Sequence, residues 1–117
     1  MLTAAFPFLH PRRLESELPA RLRNLAGDIE RVRSGAAPSR SELAEAPLID
    51  DWRAVLTPLG LRLSGMVIGH PSLGDRPAII SQLWAADHNG WWVRTLSRFY
   101  QLGRAAGADK LGDLHDV

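Results

Sequence analysis

The fold of this chain is decided by residues 69–104, which read GHPSLGDRPAIISQLWAADHNGWWVRTLSRFYQLGR. Two runs rich in β-branched and aromatic residues, 78–87 and 91–103, lie on either side of Asn89-Gly90. Asn-Gly between two such runs is typical of a tight β-hairpin with a type I′ turn. The stretch therefore predicts two antiparallel strands, paired so that Ala86 faces Val93.

The last run leaves a second interpretation open. Val93, Leu96, Tyr100 and Gly103 lie near helical spacing, so residues 91–103 could instead form a helix. The content of Trp, Val, Thr, Phe and Tyr favours a strand. We keep the strand as the prediction and the helix as the alternative.

Before this stretch, residues 61–71 alternate well enough for another strand, with Gly65 as a bulge. Further upstream, an amphipathic helix is predicted, capped by Ser16, with Pro19 in its first turn and Gly35 after its end. Its apolar stripe is Leu14, Leu18, Leu22, Leu25, Ile29 and Val32.

Two shorter helices are predicted between this helix and the strands. Ser39 and Glu42 have the spacing of a capping box, and residues 48–56 carry apolar side chains at helical spacing. The predicted fold is α+β, with N-terminal helices packed on a three-stranded antiparallel β-meander. A partly open SH3-like barrel is an alternative form of the same sheet.

The length of 117 residues suits one domain. We expect an apolar N-terminal arm at residues 1–12, a single α+β domain at 13–104 and a flexible C-terminal tail at 105–117. Phe6, Phe8 and Leu9 of the arm should pack on the domain or on a partner.

Composition excludes several classes of function. The chain has no cysteine, which rules out disulfides, thiolate metal sites and cysteine catalysis. Basic and acidic residues balance, 14 against 13, so net charge gives no push toward nucleic acid or an anionic membrane. No segment approaches the roughly 20 apolar residues of a membrane span. We expect a cytoplasmic protein with no membrane contact.

The two sides of the predicted hairpin differ in character. Trp84, Ala86, Trp91 and Val93 share one side, which we expect to pack on the helix stripe. The other side combines aromatic, aliphatic and arginine side chains, the types that dominate protein interfaces. We therefore predict a binding surface made of Trp92, Arg94, Leu96, Arg98, Tyr100 and Arg104.

Another protein, or a second copy of the chain, is the expected partner of this surface. Arginines beside aromatic rings also suit single-stranded nucleic acid, which is the alternative partner.

No motif indicates catalysis. The polar residues His70, Asp75, Asp87 and His88 have none of the usual metal-ligand spacings, and we expect them to make local hydrogen bonds in loops and turns. No nucleophile elbow or phosphate loop is present in the sequence. We therefore expect a non-enzymatic binding or regulatory protein without metal or cofactor.

One pattern covers roughly residues 47–104. The order GHP-L-D, then S-LWA-D, then GW-RTLSRFY-LG resembles a family of small uncharacterised bacterial proteins. That family is expected to have a Thr-Ser-Pro-like start to the second strand, where this chain has Ile80, Ser81 and Gln82. The resemblance implies a domain of unknown function and no particular activity.

Overall fold

A computed structural model describes residues 2–58 and 60–107 of the chain. The architecture is α+β, with helices followed by a six-stranded mixed sheet that is not closed into a barrel. Within the described residues, no helix has the length and apolar character to cross a bilayer. The helices are α1 (Leu2–Ala5), α2 (Leu18–Arg33) and α3 (Arg40–Glu45), with two 3₁₀ turns, Pro7–Leu9 and Pro11–Arg13, between α1 and α2.

The strands are β1 (Leu48–Thr57), β2 (Gly60–Ile68), β3 (Arg76–Ile79), β4 (Ala85–Ala86), β5 (Trp92–Arg94) and β6 (Phe99–Leu102). Their order in the sheet is β3-β2-β1-β6-β5-β4. All neighbouring strands are antiparallel except β1 and β6, which are parallel. The predicted three-stranded meander is therefore wrong, and the SH3-like alternative does not match this sheet.

The first predicted helix is confirmed as α2, with Pro19 in its first turn. It starts at Leu18 after Glu17, slightly later than the cap predicted at Ser16. Gly35 follows its end with a φ of 81°, which suits a glycine. The predicted capping box also forms, because the Ser39 side chain accepts from the Glu42 N–H and starts α3.

The predicted helix at 48–56 is wrong, because these residues lie in strand β1. The pairing of β1 with β2 is interrupted between Asp50 and Arg53 by a bulge, where Asp51 takes a φ of 50°. A bulge adds a residue to one strand and reverses the alternation of side chains. Ile49 and Trp52 can therefore both contact the core although they are three positions apart, which gave the sequence a helical spacing.

The predicted bulge at Gly65 belongs to the facing strand. A Cβ at Gly65 would lie 2.7 Å from the Asp50 carbonyl oxygen and 3.0 Å from the Trp52 Cα, so β1 bulges over a residue without a side chain.

The hairpin register is confirmed, since Ala86 pairs with Val93 and Ala85 with Arg94. Its turn is not type I′, which needs positive φ at two central residues. Gly90 has a φ of 81°, but Asn89 does not have a positive φ. Instead, the Gly90 N–H donates to the Asp87 carbonyl at 3.0 Å.

The run 91–103 forms neither one strand nor a helix. Strand β5 ends at Arg94, and the Thr95 N–H then donates to the Arg98 carbonyl at 2.9 Å. This turn sends β6 back along β5 and brings it beside β1. Nothing among residues 95–98 is glycine, proline or asparagine, so the usual turn signals do not mark it.

The core lies on one side of this sheet. Six buried side chains form one cluster: Ile49, Leu63, Val67, Ile80, Val93 and Tyr100. On the other side of β5 and β6, Trp92 and Phe99 meet edge to face, with ring centroids 5.4 Å apart. Helix α2 contacts this second side, where Arg94 bonds Asp28. The β5–β6 half of the sheet is thus covered on both sides.

Candidate binding site

The predicted binding surface is largely inside the protein. Trp92, Arg94 and Tyr100 are 8%, 2% and 5% exposed. The expectation that these three side chains share an exposed face is therefore wrong. The physical reason is that other elements cover these side chains. Strand β6 folds back beside β5, and α2 lies over the side of the sheet that carries Trp92 and Arg94.

The guanidinium of Arg94 is held by hydrogen bonds to other groups of the same chain. Its Nε and Nη2 donate to Asp28 Oδ2 at 3.1 and 2.8 Å, and its Nη1 donates to the Thr95 carbonyl at 2.6 Å. Its guanidinium also lies 5.2 Å from the centre of the Phe99 ring. These groups anchor α2 to β5 and leave Arg94 unable to reach a ligand at the surface.

A chain of ion pairs extends this anchor to α3. Arg31 bonds both Asp28 on its own helix, at 3.2 Å, and Glu42 on α3. Glu42 is also the residue that completes the capping box. The two helices and β5 are therefore joined through charged side chains.

The other predicted site residues are more accessible. Leu96 and Arg98 are half-buried in the β5–β6 turn, and Arg104 is exposed beyond β6. The Arg104 N–H donates to Asp50 Oδ1 at 2.7 Å, which fixes the backbone there. The chain stays attached to β1 beyond this residue, because the Ala106 N–H donates to the Trp52 carbonyl. Most of the predicted tail, from residue 108, lies outside the described residues.

Two tryptophans that the sequence assigned to the core are at the surface instead. Trp84 is 52% exposed and Trp91 is 66% exposed. They flank the β4–β5 hairpin, Trp84 directly before β4 and Trp91 directly before β5. The adjacent pair Trp91-Trp92 could have indicated that the two indoles have different surroundings, because neighbouring residues in a strand point to opposite sides of the sheet.

His70, Asp75 and Asp87 make the local contacts that the sequence predicts. His70 Nδ1 accepts from the Ser72 and Leu73 N–H groups at 3.1 and 3.2 Å. Asp75 accepts from the Gly69 N–H, and Asp87 from the Trp91 N–H. Across residues 2–58 and 60–107, no three His, Asp or Glu side chains cluster closely enough to hold a metal.

His70 also faces the core through Tyr100, with ring centres 6.2 Å apart. Burial, together with the nearby positive charge of Arg98, holds the pKa of His70 below its usual 6.5. Burial raises the pKa of Tyr100 above its usual 10.0, against the opposing effect of Arg98. Both shifts favour the neutral side chains, which suits packing and local hydrogen bonding.

Comparison with known proteins gives one match. Residues 22–113 match a family described as "Family of unknown function (DUF6634)". No curated protein and no solved structure matches the chain. The matched range starts within α2 and includes β1 to β6, so it contains Trp84 and Trp91 and leaves out the arm.

Proposed function

The chain belongs to a family of unknown function (DUF6634), and we propose that it is a non-enzymatic binding protein that holds another protein through Trp84 and Trp91. The resemblance to a domain of unknown function seen in the sequence is consistent with this family. The proposal keeps the β4–β5 hairpin as the binding element but moves the contact from Trp92 and Tyr100 to the two exposed indoles.

The observation that carries the proposal is the exposure of these two large side chains at the two strands of one hairpin. An indole is mostly apolar, so leaving it in water forgoes the stabilisation that burial would give. Tryptophan is also among the residue types most enriched at the energetic centres of protein interfaces. A partner that buries both indoles would gain apolar contact without any rearrangement of the fold.

The alternative partner, single-stranded nucleic acid, has less support. Stacking of bases on indoles would suit Trp84 and Trp91. Such sites also need cations to contact the phosphates, and Arg94, central to the predicted basic surface, is buried against Asp28. The formal net charge of +1 adds little attraction.

The experiment compares four tagged proteins: the wild type, Trp84→Ala, Trp91→Ala and Leu56→Ala. Leu56 is the control because it is also apolar, is 83% exposed and lies on β1. Partners captured from cells of the source organism are quantified, and the main partner is purified for titration. Loss of one interface tryptophan should weaken binding about 30-fold, equivalent to ~2 kcal/mol, whereas Leu56→Ala should bind as the wild type does.

Urea unfolding separates binding from stability. Trp91→Ala should keep the wild-type free energy of unfolding within about 0.5 kcal/mol, because this side chain is already largely in water, whereas Trp84→Ala should lose more, because its indole is about half buried. Unchanged partner affinity in both variants would refute the proposal. Binding to single-stranded oligonucleotides that falls steeply with salt would also refute it, in favour of the nucleic-acid alternative.

A further inference from the structure

The N-terminal arm, together with residues 13 and 14 that lead toward α2, exposes a large apolar surface. Its backbone hydrogen bonds are local, for example Phe6 N–H to Leu2 and His10 N–H to Pro7. Phe6 and Phe8 contact each other edge to face. The large apolar side chains of the arm are all exposed, by 71% at Leu2, 48% at Phe6, 68% at Phe8, 46% at Leu9 and 56% at Leu14.

The arm lies at the N-terminal end of α2, away from the contact between this helix and the sheet. The contact between α2 and β5 is at Asp28, and Leu18 lies about 15 Å before it along the helix. Leu22, between them, is 47% exposed. The arm therefore projects from its own domain.

A second surface, with exposed apolar side chains among polar ones, lies on β1, β2 and β3. A shallow cavity of about 440 Å³ lies there beside the bulge, lined by Asp51, Arg53, Ser64, Gly65, Met66, Pro77, Ala78 and Ile79. Met66 is 38% exposed and Ile79 is 55% exposed. We call this surface the open face. Its two charged residues have opposite signs, so it has no net charge to attract an ionic ligand.

The edge of β3 next to the open face is poorly suited to pairing with another strand. The Ile80 N–H donates to Leu63 of β2, and alternation along the strand then turns the backbone of Pro77 and Ile79 toward the open edge. Proline offers no N–H there. An occupant of the open face should therefore bind through apolar side chains, which the helical arm supplies.

We propose that the arm of one copy packs on the open face of a second copy, and that the exchange is reciprocal in a two-fold symmetric dimer. Large apolar side chains each carry on the order of 200 Å², so five that are about half exposed present roughly 500 Å² per arm. Two arms and two receiving faces then bury roughly 2,000 Å², which is within the range of stable homodimers. This inference does not depend on Trp84 and Trp91.

The first measurement is the mass in solution by light scattering over a range of concentrations. The wild type should have twice the chain mass of 12.9 kDa. The full-length variants Phe6→Ser/Phe8→Ser and Ile79→Asp should be monomers that still unfold cooperatively in urea, because all three positions are exposed, although they lose the stabilisation that the dimer contributes. Leu56→Asp and Trp84→Ala should remain dimers. Thus a failure of the dimer and a failure of the tryptophan surface can be told apart.

The second measurement uses the absence of cysteine from the chain. Phe8→Cys and Ile79→Cys proteins with tags of different size are mixed and oxidised, so that a disulfide between them can only form between copies. This mixed disulfide should exceed the one from a Phe8→Cys and Leu56→Cys mixture. A monomeric wild type, a dimer that survives either apolar-to-polar variant, or equal cross-linking to both positions would overturn the proposal.

Discussion

The buried ion pair between Asp28 and Arg94 gives the sharpest test of how α2 is held. In Asp28→Ala, Arg94 keeps only the Thr95 carbonyl and the Phe99 ring as partners, at 2% exposure. Breaking a buried pair in this way costs about 3–5 kcal/mol. The lower end applies, since Asp28 itself is 21% exposed, and alanine returns up to about 0.7 kcal/mol of helix propensity. We expect a net loss of roughly 2–3 kcal/mol.

Urea unfolding followed by circular dichroism measures this loss, with an unchanged m-value as evidence that the same transition is observed. Arg21→Ala is the matched control, because Arg21 also lies on α2 and also forms an ion pair, with Glu15. That pair is at the surface, and surface ion pairs contribute at most about 1 kcal/mol. The double variant Asp28→Leu/Arg94→Met should recover most of the loss, since both charges are removed together. Equal losses in Asp28→Ala and Arg21→Ala would refute the buried anchor.

Four further results are expected. Gly90→Val should lower the free energy of unfolding by more than about 1 kcal/mol, because its φ of 81° is strained for a β-branched residue; an unchanged midpoint would contradict the turn. Gly65→Ala should cost about 1–3 kcal/mol, as the new Cβ would collide with the bulged strand. The stability that His70 contributes should be present above pH 6.5 and lost as pH falls further, since its folded pKa is lowered by burial and by Arg98; the difference between wild type and His70→Ala should shrink in acid. Tyr100, as the only tyrosine, should show in ultraviolet titration an ionisation above pH 10.0, and an ionisation at or below it would contradict its burial.

Local patterns in the sequence were sufficient to predict the elements that depend on local contacts. The helix α2, the capping box at Ser39 and the pairing of Ala86 with Val93 are all confirmed. Each of these depends on residues close together in the chain. The bulge in β1 was mistaken for a helix, because a local reversal of alternation and a helical turn give the same three-residue spacing.

The candidate site could not be predicted in the same way. Whether Trp84 or Trp92 is exposed depends on which side of the hairpin α2 covers, and that is decided by the long-range bond between Asp28 and Arg94. The sequence shows two charged residues there without showing that they meet. The turn at residues 95–98 could not be predicted for a similar reason. Its position follows from the pairing of β6 with β1 and β5 and is not marked by typical turn residues.

The parallel pairing of β1 with β6 has a consequence for how the chain reaches its structure. The other ladders join segments that are near neighbours in sequence, whereas this one joins Leu48 to Gln101 and Ile49 to Leu102, which are about 50 positions apart and close a long loop at an entropic cost. We expect the β1–β2 and β5–β6 hairpins to form early and the β1–β6 contact to limit the folding rate. Stopped-flow refolding should then show that a destabilising substitution at Leu102 slows folding.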